Sequence, residues 1–217
     1  PGGDLLIHAG DLMNSGYDEI DVYEFLDWFE NQLHKYESVV FIAGNHDRYF
    51  ENHPQKIKKI LSEYPNVIYL QDNWVTVGDS DPHDPNVKTA KIYGSPWQPA
   101  FYDWAFNLPR NGEDLREKWF WIPNDTDILI THGPPWGHCD VTPYGNLNVG
   151  CELLRVRVDE LKPKIHVFGD YFSSSYSQDS SGNKSYFRFW GKWGSVFWGD
   201  PVKERVWGGP DCRIGVL

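Results

Sequence analysis

The sequence predicts an α/β fold in which buried strands alternate with amphipathic helices, with a middle region that is antiparallel or mixed. Three observations predict it. Short apolar runs recur along the chain and stop abruptly at glycine or a polar residue, the pattern of strands buried on both faces. Between them lie segments with apolar residues at steps of three and four, the period of a helix with one covered face. Four of the apolar runs end in Asp11, Asn45-His46-Asp47, His132 and Asp170. In open α/β sheets, chemistry sits in the crevice at the carboxyl ends of the strands.

In order, Leu5-Leu6-Ile7-His8-Ala9 is a first buried strand ending at Gly10-Asp11. Residues 17–36 read as a helix, with Val22, Phe25, Leu26, Phe29 and Leu33 on the covered face and an acidic run on the solvated one. Val39-Val40-Phe41-Ile42-Ala43 is the strand that delivers Gly44-Asn45-His46-Asp47. Pro54 opens a helix carrying Ile57, Ile60, Leu61 and Tyr64, and Pro65 ends it. Residues 67–70 and 74–77 are strands joined through the turn chemistry of Asp72-Asn73. A polar loop over 78–88 precedes the strand Lys91-Ile92-Tyr93. Residues 95–110 form an aromatic loop punctuated by proline, and 111–121 a short helix. Residues 127–131 form a buried strand ending at His132-Gly133-Pro134-Pro135. A helix over 151–161 stops before Pro163, and the strand 165–168 ends at Gly169-Asp170. Beyond it, a serine-rich stretch and a Trp/Gly-rich remainder show no clear period.

With 217 residues the chain is one large domain, or one domain with a tail, and its 40% apolar content is ample for a core. A net charge of -11 excludes long nucleic acids and anionic membrane surfaces as partners, because no basic footprint exists to release counterions. Small phosphorylated substrates remain compatible, since a bound cation supplies positive charge locally. Three cysteines, Cys139, Cys151 and Cys212, form no spaced framework and suit a reducing, cytoplasmic interior. No secretory signal and no membrane-spanning apolar run is evident. The chain opens Pro-Gly-Gly and enters a strand almost at once, so a preceding segment is expected to be missing.

The strand-end residues suit a metal site. A carboxylate such as Asp11 can bridge two cations roughly 3.5–4 Å apart. The amide oxygen of Asn45 is a neutral ligand that leaves a cation Lewis acidic. His132 offers one imidazole nitrogen while an acceptor fixes the other. Such mixed O/N ligation suits Mn, Fe, Zn or Mg, and His46 is the candidate to protonate a leaving oxygen or to stabilise charge on the phosphorus oxygens. By contrast, His8 and His166 lie inside apolar runs and read as core histidines. His138, Cys139 and Asp140 read as loop composition, and the aromatics of 97–104 as core or rim. Trp97, Trp136 and Arg110 lie in loops that could line the cleft, with a surface ion pair as the other reading of Arg110.

Gly10-Asp11, Gly44-Asn45-His46-Asp47 and Thr131-His132-Gly133, in this order, resemble the calcineurin-like metallophosphoesterases. Ile68-Tyr69-Leu70-Gln71-Asp72, Ile92-Tyr93-Gly94-Ser95-Pro96-Trp97, Phe106-Asn107-Leu108-Pro109-Arg110, Asp127-Ile128-Leu129-Ile130-Thr131-His132-Gly133-Pro134-Pro135 and Lys162-Pro163-Lys164-Ile165-His166-Val167-Phe168-Gly169 are similar to the small metallophosphoesterase-domain-containing branch. The resemblance covers about residues 3–169. It implies a four-layer α/β/β/α sandwich with mixed sheets and a two-metal centre, which this chain's departures from the pattern reduce to one or two divalent ions. Phosphodiesters or phosphomonoesters, nucleotides among them, would be hydrolysed there by a metal-bound water. On that pattern Asp11 bridges the metals, Asn45 and His132 bind the second, and His46 assists the leaving group.

The sequence departs from the pattern twice. The family opens with Asp-x-His on a strand before 5–9, and this chain starts after it. The family closes with Gly-His-x-His, where Gly169-Asp170-Tyr171-Phe172 stands here, so Asp170 becomes the replacement oxygen ligand. The implied organisation is a phosphoesterase domain over 1–169, lacking its first strand, and a divergent tail over 170–217. Impaired hydrolysis is expected. The alternative is an inactive protein of the same fold that binds a nucleotide, anion or protein partner.

Overall fold

A strand whose two faces are both apolar must be covered on both sides, and two sheets packed against each other with helices outside meet that demand. The computed structural model describes residues 2–13, 16–78, 89–142 and 147–169, and the backbone of four short strands beyond them. In chain order the elements are β1 (Gly3–Ala9), α1 (Glu19–Gln32), β2 (Tyr36–Ile42), α2 (Arg48–Asn52), α3 (Pro54–Leu61), β3 (Val67–Tyr69), β4 (Asn73–Val77), β5 (Ala90–Ser95), β6 (Gln98–Pro99), β7 (Asn107–Leu108), α4 (Glu113–Phe120), β8 (Ile128–Thr131), α5 (Glu152–Leu161), β9 (Ile165–Phe168), β10 (Ser177–Gln178), β11 (Lys184–Arg188), β12 (Ser195–Trp198) and β13 (Arg213–Val216).

The first sheet runs β12-β1-β2-β3, and the second β10-β11-β13-β9-β8-β5-β4. β1, β2 and β3 are mutually parallel, as are β5, β8 and β9, whereas β4, β12 and β13 pair antiparallel with their neighbours. The sheets are therefore mixed.

Alternation along the strands assigns the layers. Leu5, Ile7 and Ala9 of β1, with Val40 and Ile42 of β2, face Ile92, Ile128, Ile130 and Val167 of the second sheet. The intervening residues Leu6, Val39 and Phe41 pack outward against Val22, Leu26 and Phe29 of α1 and Ile57 and Ile60 of α3. On the far side, Tyr93 and Leu129 meet Leu115 and Trp119 of α4 and Leu154 and Val158 of α5. The order is helix, sheet, sheet, helix, the expected four-layer sandwich.

Several details differ from the sequence reading. The helix expected over 17–36 occupies Glu19–Gln32: Asp18 caps its start by accepting from the Ile20 amide at 3.0 Å. Its expected last residue, Tyr36, opens β2 instead, because Gly3 and Leu5 of β1 extend the pairing back to Tyr36 and Ser38. α2 and the small parallel pair β6-β7 arise in stretches that the sequence presents as turn and loop. The outer edge of β1 is occupied, with Leu5, Leu6, Ile7 and His8 paired to Trp198, Phe197, Val196 and Ser195. The polar loop expected over 78–88 lies, beyond Gly78, outside the described residues.

Candidate metal centre

The segments leaving the carboxyl ends of β1, β2, β8 and β9 meet at one place. After β1 the chain turns through two left-handed residues, Gly10 (φ 99°) and Asp11 (φ 61°). Aspartate is among the few L-residues that enter this conformation readily. Gly10 has no room for a side chain: a Cβ would stand 2.6 Å from His132 Nδ1 and 2.8 Å from the Ala43 carbonyl. After β2, a Cβ on Gly44 would stand 2.5 Å from both Asp11 Oδ1 and His132 Cε1. These two glycines let the strand ends approach closely enough for three side chains to share one point.

Asp11, Asn45 and His132 are brought together there. His132 Nε2 lies 2.9 Å from Asn45 Oδ1 and 3.4 Å from Asp11 Oδ1. His132 Nδ1 lies 2.9 Å from the Ala9 carbonyl, which joins the second sheet to the first. A carbonyl only accepts, so Nδ1 carries a proton, and Nε2, when it carries none, presents its lone pair towards Asn45 and Asp11. An imidazole nitrogen, an amide oxygen and a carboxylate oxygen thus aim lone pairs at a common point, an arrangement a cation or a shared proton stabilises. The donor set is that of a hard-to-borderline divalent ion, so these residues fit one. Among the described residues, no group of three or more His, Cys, Asp or Glu side chains stands together to hold a metal. The set reaches three donors only with the Asn45 amide. Asp170, the fourth expected ligand, lies outside the described residues, whereas the amide of Gly169 before it donates to the His132 carbonyl at 2.8 Å.

Asp47 closes the Gly-Asn-His-Asp motif, and although the sequence assigns it no role it is the clamp of the site. It is fully buried, with Oδ1 accepting from the Met13 amide at 2.7 Å and Oδ2 from the Gly44 amide at 2.6 Å. Burial first, and the charge of Asp11 second, push its carboxyl up to about 7 against donation by the Met13, Gly44 and Leu12 amides. An aspartate three residues after a glycine is a local signal for the Gly44 bond. The Met13 bond, 34 residues away, has no such signal. The backbone amide of His46 donates to Asp11 Oδ1 at 2.9 Å, and its ring stands 4.3 Å from that of Trp104.

The remaining candidates fall outside the centre. His8 and His166 are buried, with ring pKa values lowered to about 3, mainly by burial. Buried Asp140 accepts from the Gly137 amide (3.0 Å), the Gly150 amide (3.1 Å) and Asn148 Nδ2 (2.6 Å), so it closes its own loop. Trp97 donates its indole N–H to Asp72 at 2.7 Å. Arg110 pairs with Glu152 at 2.7 Å and donates to the carbonyls of Val149 and Gly150. Trp136 is exposed.

A sandwich of this kind, with an acid, an amide and an imidazole at its strand ends, is the framework of a metallophosphoesterase. The chain belongs to the calcineurin-like phosphoesterase family, whose model matches residues 1–173. It is 39% identical over 207 residues to metallophosphoesterase domain-containing protein 1 of Homo sapiens, covering 86% of this chain and 59% of that protein. It is 35% identical over 199 residues to UPF0046 protein T07D4.2 of Caenorhabditis elegans, covering 78% of this chain and 46% of that one. The chain thus spans about half to three-fifths of the length of these relatives. The crystal structure of TT1561 of Thermus thermophilus superposes with a TM-score of 0.53 at 14% identity, over 82% of this chain and 72% of that one, a likeness of fold. Calcineurin-like phosphoesterases use divalent metal ions, and family membership supports a metallophosphoesterase-type function. No helix among the described residues is long and apolar enough to cross a membrane.

Proposed function

We propose that this chain is a metal-dependent phosphoesterase scaffold, acting on a small phosphodiester or phosphomonoester such as a nucleotide, with weak turnover. The observation that carries the reading is the convergence of Asn45 Oδ1 (2.9 Å) and Asp11 Oδ1 (3.4 Å) on His132 Nε2, with a proton on Nδ1 set by the Ala9 carbonyl. These three residues hold the cation (Mn, Fe, Zn or Mg). Asp170 adds an oxygen, an assignment supported by the bond from neighbouring Gly169 to His132. A second ion would share Asp11. When bound, the cation supplies Lewis acidity and an activated water for in-line attack on phosphorus. His46 delivers a proton to the departing oxygen. The amide of His46 holds the Asp11 carboxylate in place, and Asp47 holds the turn that carries Asn45. The sparse cysteines, three in 217 residues with no spaced framework, support a cytoplasmic setting. The phosphoesterase unit is taken as 1–169 and the remainder as a tail.

A second reading, a binding protein of the same fold without turnover, is favoured by the small donor set among the described residues. Metal content and hydrolysis of bis(p-nitrophenyl) phosphate, in the wild type and Asp11→Asn, separate the two. Bound Mn²⁺ with turnover lost in Asp11→Asn supports the enzyme. Stoichiometric Mn²⁺ without turnover supports the binding protein. No retained metal removes both.

A further inference from the structure

The loop between β6 and β7 is lashed to the metal-site turn. The Ala105 amide donates to the Asn45 carbonyl at 3.0 Å, the Phe106 amide donates to Glu51 at 3.0 Å, and Arg48 donates to the Asp103 carbonyl. Asn107 Nδ2 closes the loop from within, donating to the carbonyls of Phe101 (3.2 Å) and Tyr102 (3.0 Å). Two non-glycine residues, Tyr102 (φ 48°) and Phe106 (φ 54°), take the left-handed conformation to complete it. Such strain persists only where surrounding contacts over-determine it, and it clusters where a surface must be held ready. What this loop holds ready is aromatic. Trp104 is partly exposed and tilted 43° against the ring of His46 at 4.3 Å, while Phe101 and Tyr102 stand in solvent as an edge-on pair at 4.4 Å.

Among the described residues, two arginines of the flanking segments are committed elsewhere. Arg48 is paired with Asp103 and stands over the Tyr17 ring, and Arg110 is held by Glu152 and two carbonyls. In a chain of net charge -11, the part of a substrate beyond its phosphoryl group meets the rings of this loop among the described residues.

Resting on the phosphoesterase reading above, we propose that Trp104 is a specificity-determining residue whose ring packs against an aromatic or heteroaromatic ring carried by the leaving group. The substrates are therefore phosphoesters bearing a planar ring close to the ester oxygen. A leaving group that takes its proton from His46 departs beside Trp104, because the two rings are in contact. Face and edge contacts between rings favour a planar π system over a saturated ring of equal size.

Calorimetric titration of the Mn²⁺-loaded full chain with phenylphosphonate, cyclohexylphosphonate and methylphosphonate tests this. None of the three is hydrolysed, so binding is read apart from turnover. The wild type should bind the phenyl compound about fivefold more tightly than the cyclohexyl one. Trp104→Leu should bring that ratio to about one, and Trp104→Phe should restore it. Equal affinity of the two ring compounds for the wild type, or a ratio that survives in Trp104→Leu, overturns the assignment. If methylphosphonate then still binds in a Mn²⁺-dependent way, the phosphoesterase reading stands without the ring wall. If no phosphonate binds with Mn²⁺ present, both fall.

Discussion

A methyl group at position 44 would fill the space in which Asp11 and His132 meet, which makes Gly44 the most sensitive test of the site at the residue scale. Its obstacles are the Asp11 amide and carboxylate and the His132 ring, each 2.5 Å from an added Cβ, and none is the free end of a flexible side chain. Gly44→Ala is therefore expected to cost about 1–3 kcal/mol of stability. It should also weaken Mn²⁺ binding, since relief of the clash moves two donors. Urea unfolding and a metal titration read the two effects separately. Unchanged values in both would mean that the donors do not crowd this turn. Asp11, Asn45 and His132 are legible in the sequence because each stands one residue beyond an apolar run and a strand end fixes where the next residues go. The role of Asp47 is not legible there, because its bond to Met13 joins residues 34 apart and exists only once β1 and β2 lie side by side. The aromatics of the β6–β7 loop divide between core and rim: Phe106 is buried, Phe101 and Tyr102 are exposed.

At the scale of the element, helix ends decide what the periodic pattern leaves open. α5 is capped at its start by Cys151, whose Sγ accepts from the Leu154 amide at 3.3 Å, and at its end by Lys162 in the left-handed conformation (φ 49°, ψ 56°). Lysine is strained there and glycine is not, and roughly 1 kcal/mol separates them. Lys162→Gly should raise stability by about that amount, read as an upward shift of the thermal midpoint. A lowered midpoint would show that the Lys162 side chain contributes more than its backbone costs. The same competition explains why the apolar period overruns the end of α1. Leu33 continues the spacing, but the amides of Leu33 and Lys35 bond three residues back, to Glu30 and Gln32, and Tyr36 is drawn into β2 by Gly3. A helical period carries no information about a neighbouring strand that claims the last residue. β6 and β7, two residues each, are too short to leave any period.

For the molecule as a whole, successive residues of the strands are apolar, so the sequence shows that both faces need covering, while the four-layer order is implied by the family resemblance. The pairing of β12 with β1 is not legible, because the tail has no period from which to read a partner. Two buried imidazoles give the whole fold a pH dependence. His166 Nε2 lies 2.8 Å from Thr131 Oγ1, which donates to the Gly133 carbonyl, so Nε2 carries the proton and buried Nδ1 has no partner among the described residues. Its folded pKa of about 3 lies below the ordinary 6.5, as does that of His8. Between those values the unfolded chain binds protons that the folded chain refuses, so stability falls as pH drops from 6.5 towards 3. Each histidine withdraws roughly 3 kcal/mol by about pH 4, and Asp47, raised to about 7, works in the opposite sense. In EDTA, His166→Phe should flatten the fall in unfolding free energy between about pH 7 and about pH 4.5, and an unchanged slope would contradict the assignment. The central claim is that strand ends far apart in the chain build one cation site, and equilibrium Mn²⁺ binding measures it most directly. Wild-type protein should bind Mn²⁺ stoichiometrically, and Asp11→Asn, Asn45→Ala and His132→Ala should each weaken that binding at least tenfold while remaining folded. Binding that is absent in the wild type, or indifferent to all three substitutions, would contradict the account.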